Sequence, residues 1–142
     1  MIGAAEFFRG PLESALASDE LAVRAFFPAL TAGSGSSFLE IARRHGDYAL
    51  CGVGAVAELD DGGGLRSVRC GYLSVSDTPL VLDLTDAWTV GEQQAAEMAR
   101  AAVDPVTDIH ASADYRRQLA AVLTVRAARQ AISTARTREV DA

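Results

Sequence analysis

The 142-residue chain contains no lysine: its 13 arginines face 19 carboxylates, and the formal net charge is −6. Phosphate backbones are bound by concentrated basic surface, so this interleaved, acidic balance argues against nucleic acid as a partner. The missing lysine itself reads as genomic base bias. Cysteine is almost as scarce. Cys51 and Cys70 are too few for a disulfide framework and wrongly spaced for a thiolate metal site, and no histidine pair supplies metal ligands instead. Both cysteines sit in apolar strand patterns, where buried inert thiols are expected. No run of about 18 apolar residues is present, which leaves no segment to span a membrane as a helix. The first residues, Met1 to Arg9, lack the basic-then-apolar order of a signal peptide, so the expected compartment is the cytoplasm. There is no internal repeat, no nucleophile elbow and no Walker lysine; Gly33 to Ser37 reads as a linker rather than a phosphate loop.

What is present is enough apolar residue, nearly half the chain, to build one core without staples. The whole of residues 1–142 is therefore expected to form a single domain. Leu21, Val23, Ala25 and Phe27 alternate until Pro28, which predicts a first strand. Residues 31–37 predict a flexible loop. Further strands are predicted over Phe38 to Arg43, Ala49 to Leu59 and Leu65 to Val75, the last two joined by the acidic glycine turn Asp60 to Gly64. On the Ala49 to Leu59 strand one face is mostly small, with Gly52 and Gly54, which suggests close approach by a helix, a backbone or a ligand ring.

After Thr78-Pro79 the periodicity becomes helical. Thr89-Val90-Gly91-Glu92 has the spacing of a capping box, opening a helix with Ala95, Met98, Ala99 and Ala102 inward and an end at Asp104-Pro105. Ser112, with Asp114, caps a last helix whose apolar stripe is Tyr115, Leu119, Val122, Leu123 and Ala127. Its arginines, Arg116 and Arg117 included, fall largely off that stripe, and the tail after Arg136 is expected to fray. Strands first and helices second predict an α+β fold, an antiparallel sheet of three to four strands packed against C-terminal helices.

One polar constellation stands out. Arg43-Arg44-His45-Gly46-Asp47-Tyr48 places two guanidiniums, an imidazole, a carboxylate and a phenol at a bend between apolar strands. Taken alone, these residues fit a hairpin corner held by arginine–aspartate pairing. They also fit a ligand site beside the small-residue strand. His110, a single histidine before a helix, reads as a loop residue.

Gly35 to Val56, the turn that follows it, Arg69 to Pro79, and Ser-Ala-Asp-Tyr-Arg-Arg-Gln-Leu at Ser112 to Leu119 together resemble one family. This is the C-terminal domain of the FAD-binding (medium) subunit of molybdenum hydroxylases, the CO dehydrogenase and xanthine dehydrogenase group. The resemblance runs from about Ala5 to about Ile132. It implies the flavoprotein C-terminal domain fold and a part in passing electrons from molybdenum and iron–sulfur partner subunits to an acceptor. By the same resemblance Arg43, Asp47 and Tyr48 fall at flavin-proximal positions, with Arg44 completing the paired arginines. Members carry an FAD-binding region ahead of this domain, and its absence from these residues implies that FAD would be held weakly or not at all by this chain alone.

Two other functions are compatible with the residues. One is a free-standing, cofactor-independent enzyme, an isomerase or cyclase of the kind used in natural-product biosynthesis, with His45, Asp47 and Tyr48 as acid–base groups. The other is a non-catalytic module that binds a small molecule or assembles with partners, a homo-oligomer included.

Overall fold

In the computed structural model, residues 1–140 are described, the last two by backbone alone. Helix α1 (Ala4–Phe7) and a small hairpin of β1 (Phe8–Gly10) and β2 (Glu13–Ser14) precede an irregular stretch. The main sheet follows as β3 (Ser34–Ala42), β4 (Ala49–Leu59), β5 (Leu65–Leu73) and β6 (Leu80–Asp83), antiparallel throughout and in that spatial order. Three helices follow among the described residues: α2 (Thr85–Val90), α3 (Glu92–Ala102) and the 28-residue α4 (Ala113–Val140). This is the α+β architecture predicted, a four-stranded antiparallel sheet covered on one face by C-terminal helices.

The inner face of the sheet alternates as a half-buried sheet must. Cys51, Val53, Ala55 and Ala57 of β4 and Val68, Cys70 and Tyr72 of β5 are buried against Ala120, Leu123, Ala127, Ala128 and Ala131 of α4. The Tyr72 hydroxyl lies 2.7 Å from Thr124 Oγ1, whose own proton goes to the Ala120 carbonyl at 2.7 Å. Tyr72 is thus the donor, and neither buried hydroxyl is left unsatisfied. The β4–β5 turn is held by the Asp60 carboxylate, which accepts from the Gly62 and Gly64 amides.

Several elements differ from the sequence prediction. Leu21 to Phe27 is no strand: the segment has no regular secondary structure, with Leu21, Val23, Phe26 and Phe27 each more than 80 % exposed. Alternation can specify an extended chain, but a strand also needs a neighbour to bond to. The fourth strand is instead β6, four residues long and invisible to periodicity. Of the predicted 31–37 loop, residues 31–33 stay outside the sheet, while Ser34 to Ser37 form the first half of β3 by pairing with Ala55 to Glu58 of β4, and α4 crosses them at backbone distance. There Gly35 is buried, and Ser37 Oγ donates to the Ala127 carbonyl at 2.7 Å. Strand β5 ends at Leu73 rather than Val75, where Ser74 turns to φ 64°.

The capping box is not formed. Thr89 lies inside α2 and donates to the Asp86 carbonyl, Gly91 separates α2 from α3 at φ 156°, and the Glu92 carboxylate pairs with Arg129 instead. The α3 face that packs inward is Ala95, Ala96 and Ala99, while Met98 and Ala102 turn to solvent. Helix α4 does start as predicted, with Ser112 Oγ accepting from the Tyr115 amide at 3.2 Å. Its buried face is displaced from the bulky stripe. Tyr115 is half exposed, and the small residues Ala120, Ala127, Ala128, Ala131 and Ala135 take the sheet side because they permit the closest approach. Helix α4 also continues past Arg136, where fraying was expected; residues 141 and 142 lie outside the described residues.

Candidate functional site

The six residues between β3 and β4 form the polar corner. Gly46 makes the bend at φ 88°, a left-handed conformation that glycine adopts without a Cβ clash, and the Asp47 amide closes the turn on the Arg44 carbonyl. Asp47 gathers both arginines through one oxygen, with Arg43 NH2 at 3.5 Å and Arg44 Nε at 3.2 Å from Oδ2. The triad carries one net positive charge. Beside it the Tyr48 ring is wholly exposed, 99 % of its surface open.

Arg43, Asp47 and Tyr48 stand on the wall of a cleft of about 490 Å³. Its other walls are the turn after β5, with Ser74 and Asp77, and the segment between α3 and α4, with Asp104 and His110. Arg44 reaches the cleft only through Asp47. His45 is exposed and lies off the cleft, and no hydrogen bond among the described residues joins His45, Asp47 and Tyr48 to one another. The proton-transfer trio considered from the sequence is therefore not assembled.

Two residues that sequence reasoning passed over organise the cleft. Arg116 was expected off the apolar stripe; it is 7 % exposed and lines the cleft. Its NH1 donates to the Leu50 carbonyl at 2.7 Å and the Ser74 carbonyl at 3.2 Å, and its NH2 to Asp108 Oδ2 at 2.7 Å. The other Asp108 oxygen accepts from the His110 and Ala111 amides at 2.8 and 2.9 Å. Those two amides, with Arg116 adding to them, hold the Asp108 carboxyl down to about 2. A signal was available: Arg116 precedes Ala120 by four residues and so shares the face of Ala120, Leu123 and Ala127.

The cysteines play no part here. Burial pushes the Cys51 thiol up to about 11 and the Cys70 thiol up to about 12. Among the described residues no cluster of histidine, cysteine and carboxylate could hold a metal ion, and no helix is long and apolar enough to cross a membrane.

Residues 36–131 match the CO dehydrogenase flavoprotein C-terminal domain. The chain belongs to that family. It is 35 % identical over 131 residues to the 6-hydroxypseudooxynicotine dehydrogenase complex subunit alpha of Paenarthrobacter nicotinovorans, covering 87 % of this chain and 44 % of that one. The caffeine dehydrogenase subunit beta of Pseudomonas sp. (strain CBB1) is 31 % identical over 129 residues, with 86 % and 43 % covered. Among solved structures, reconstituted CO dehydrogenase from Oligotropha carboxidovorans superposes with a TM-score of 0.83 at 26 % identity, over 94 % of this chain and 49 % of that one. Quinoline 2-oxidoreductase from Pseudomonas putida 86 gives 0.78 at 28 % identity, over 97 % and 49 %. The chain thus spans less than half the length of these relatives. They are named as dehydrogenases and an oxidoreductase, and none as an isomerase or cyclase.

Proposed function

We propose that this chain acts as a single domain, the C-terminal portion of a flavin-carrying electron-transfer subunit of a molybdenum hydroxylase, and that its Arg43–Tyr48 corner is one wall of the isoalloxazine site. The observation that carries the reading is the exposed Tyr48 ring at the cleft rim, next to two guanidiniums held by one carboxylate.

The cleft suits one end of FAD and not the other. A flat, electron-poor ring can stack on Tyr48, and the net positive triad favours negative charge on the ring's polar edge. Asp77, Asp104 and Asp108 around the remaining walls repel a pyrophosphate, which needs amide or basic partners. The bound flavin would supply reversible uptake of one or two electrons. Of this chain's residues, Tyr48 would shield the ring from water. Arg43 and Arg44 would bias it toward its anionic reduced form, and Asp47 would keep both arginines in place. The phosphates would be held by polypeptide beyond these 142 residues, and the assembly would include molybdenum and iron–sulfur subunits in the cytoplasm.

The test is a titration of the purified chain with FAD, followed by visible absorption and flavin fluorescence, alone and with an FAD-binding polypeptide of the family added. Weak binding alone, strengthened by the added polypeptide and reduced by Tyr48→Ala and Asp47→Asn, is the expected result. Folded variants that bind FAD as the unmodified chain does would remove the corner from the site. Tight stoichiometric flavin on the chain alone would overturn the one-wall reading.

A further inference from the structure

We propose that Arg116 is the positioning residue of this corner, setting where Tyr48 and Asp47 stand against the cleft; the inference deepens the flavin-wall reading and rests on it. One guanidinium ties together the three segments that enclose the cleft. It takes the carbonyl of Leu50, two residues beyond Tyr48, the carbonyl of Ser74 at the turn after β5, and the carboxylate of Asp108 before α4. Asp108 in turn holds the His110 and Ala111 amides, so the loop that carries His110 is pinned by the same ion pair. Ser74 keeps a left-handed φ of 64°, which disfavours any residue with a Cβ, and it is this residue's carbonyl that Arg116 captures.

A core built only for stability would not place a charge here. The rest of the α4 face is Ala120, Leu123, Ala127 and similar residues. The guanidinium is not fully satisfied even in its cage, because Nε is buried without a partner. Replacing a whole buried ion pair with apolar side chains of similar volume is often neutral or stabilising, whereas removing one partner alone is costly. The charge at this position therefore serves geometry. A planar fork with several donors can bridge three acceptors at fixed angles, which a single ammonium cannot match.

The experiment incorporates 3-fluorotyrosine into the chain and follows the fluorine spectrum of its three tyrosines, Tyr48 being assigned through Tyr48→Phe. FAD is then titrated in, and Arg116→Met and Arg116→Lys are compared with the unmodified chain. Expected for Arg116→Met is a folded chain of lowered thermal stability, since Asp108 and two carbonyls lose their donor, with the Tyr72 signal in place. Its Tyr48 signal should be shifted and broadened, and its FAD affinity lowered on the order of tenfold; Arg116→Lys should restore only part of both. A folded Arg116→Met chain with Tyr48 unmoved and FAD affinity unchanged overturns the proposal. If FAD leaves Tyr48 unaffected in the unmodified chain, the flavin-wall reading fails, while the Tyr48 signal of the variants still decides positioning. Should Arg116→Met not fold, Asp108→Asn keeps the guanidinium and removes its counter-charge. Tyr48 must then move in the same direction by a smaller amount, and an unmoved Tyr48 refutes the tie.

Discussion

Replacing Gly35 with alanine probes the contact on which the whole layer arrangement depends. A Cβ at this position would sit 2.1 Å from the Ala131 carbonyl oxygen, 2.3 Å from the Ala135 nitrogen and 2.9 Å from the Ala135 Cα. All three are backbone atoms of α4, so no side chain can swing aside. Ordinary contact begins near 3.4 Å, and the helix must retreat from β3 by more than an ångström. That retreat strains the Ser37–Ala127 and Tyr72–Thr124 hydrogen bonds and opens the alanine face. Overpacking costs about 1–3 kcal/mol where neighbours can adjust, and each weakened hydrogen bond adds up to about 1 kcal/mol. The reduced freedom of the unfolded chain returns about 0.4–1 kcal/mol. The net loss is about 3 kcal/mol, a large share of the 5–15 kcal/mol typical of a domain, and corresponds to a fall in Tm of about 10 °C. Gly54→Ala is the control, since its Cβ would meet only Phe38 Cδ2 at 3.7 Å, and it should change stability by less than about 1 kcal/mol. Thermal and guanidinium unfolding, followed by circular dichroism and by Trp88 fluorescence, measure both. Midpoints for the two variants within about 2 °C of each other would refute the close-approach argument.

The thiols provide a second test: with Cys51 and Cys70 raised to about 11 and about 12 by burial, a disulfide reagent at pH 8 should label the native chain only as fast as it unfolds, and both thiols at once in denaturant. Immediate labelling of the native chain would contradict the burial. Asp108 gives a pH test, and because its folded value is depressed, the stability it contributes is complete above the unfolded carboxyl value of about 3.9 and is lost as pH falls toward about 2. Asp108→Asn should therefore lower stability at neutral pH and flatten its decline between those limits; parallel acid limbs for variant and parent would count against the pairing. At the corner, Arg43→Gln should leave the fold intact, since its partner Asp47 keeps Arg44, and should weaken FAD binding in the presence of the FAD-binding polypeptide. Unchanged affinity there would show that Arg43 does not face the ring.

The order of strands before helices, the extent of β4, the hairpin at Asp60 to Gly64 and the Ser112 cap were all legible in the chain itself. Each depends on alternation, or on a side chain bonding a backbone group two to four residues away, and such information is stored among neighbours. The polar corner was legible for the same reason, since Arg43 to Tyr48 are contiguous. Pairing and helix-face choice were not local. Ser34 to Ser37 became strand, and Leu21 to Phe27 did not, because strand formation is decided by what lies alongside. For Ser37 the helix contact is Ala127, ninety residues on. Arg116 looked like any surface arginine until the Leu50 carbonyl, sixty-six residues away, was brought beneath it. Short-range pattern thus determined which segments could be strand or helix, while the tertiary structure decided which were paired, which face was buried, and where the buried Arg116 guanidinium found its acceptors. A buried polar group is acceptable only where its partners converge, and that convergence exists only once the sheet and α4 are packed together.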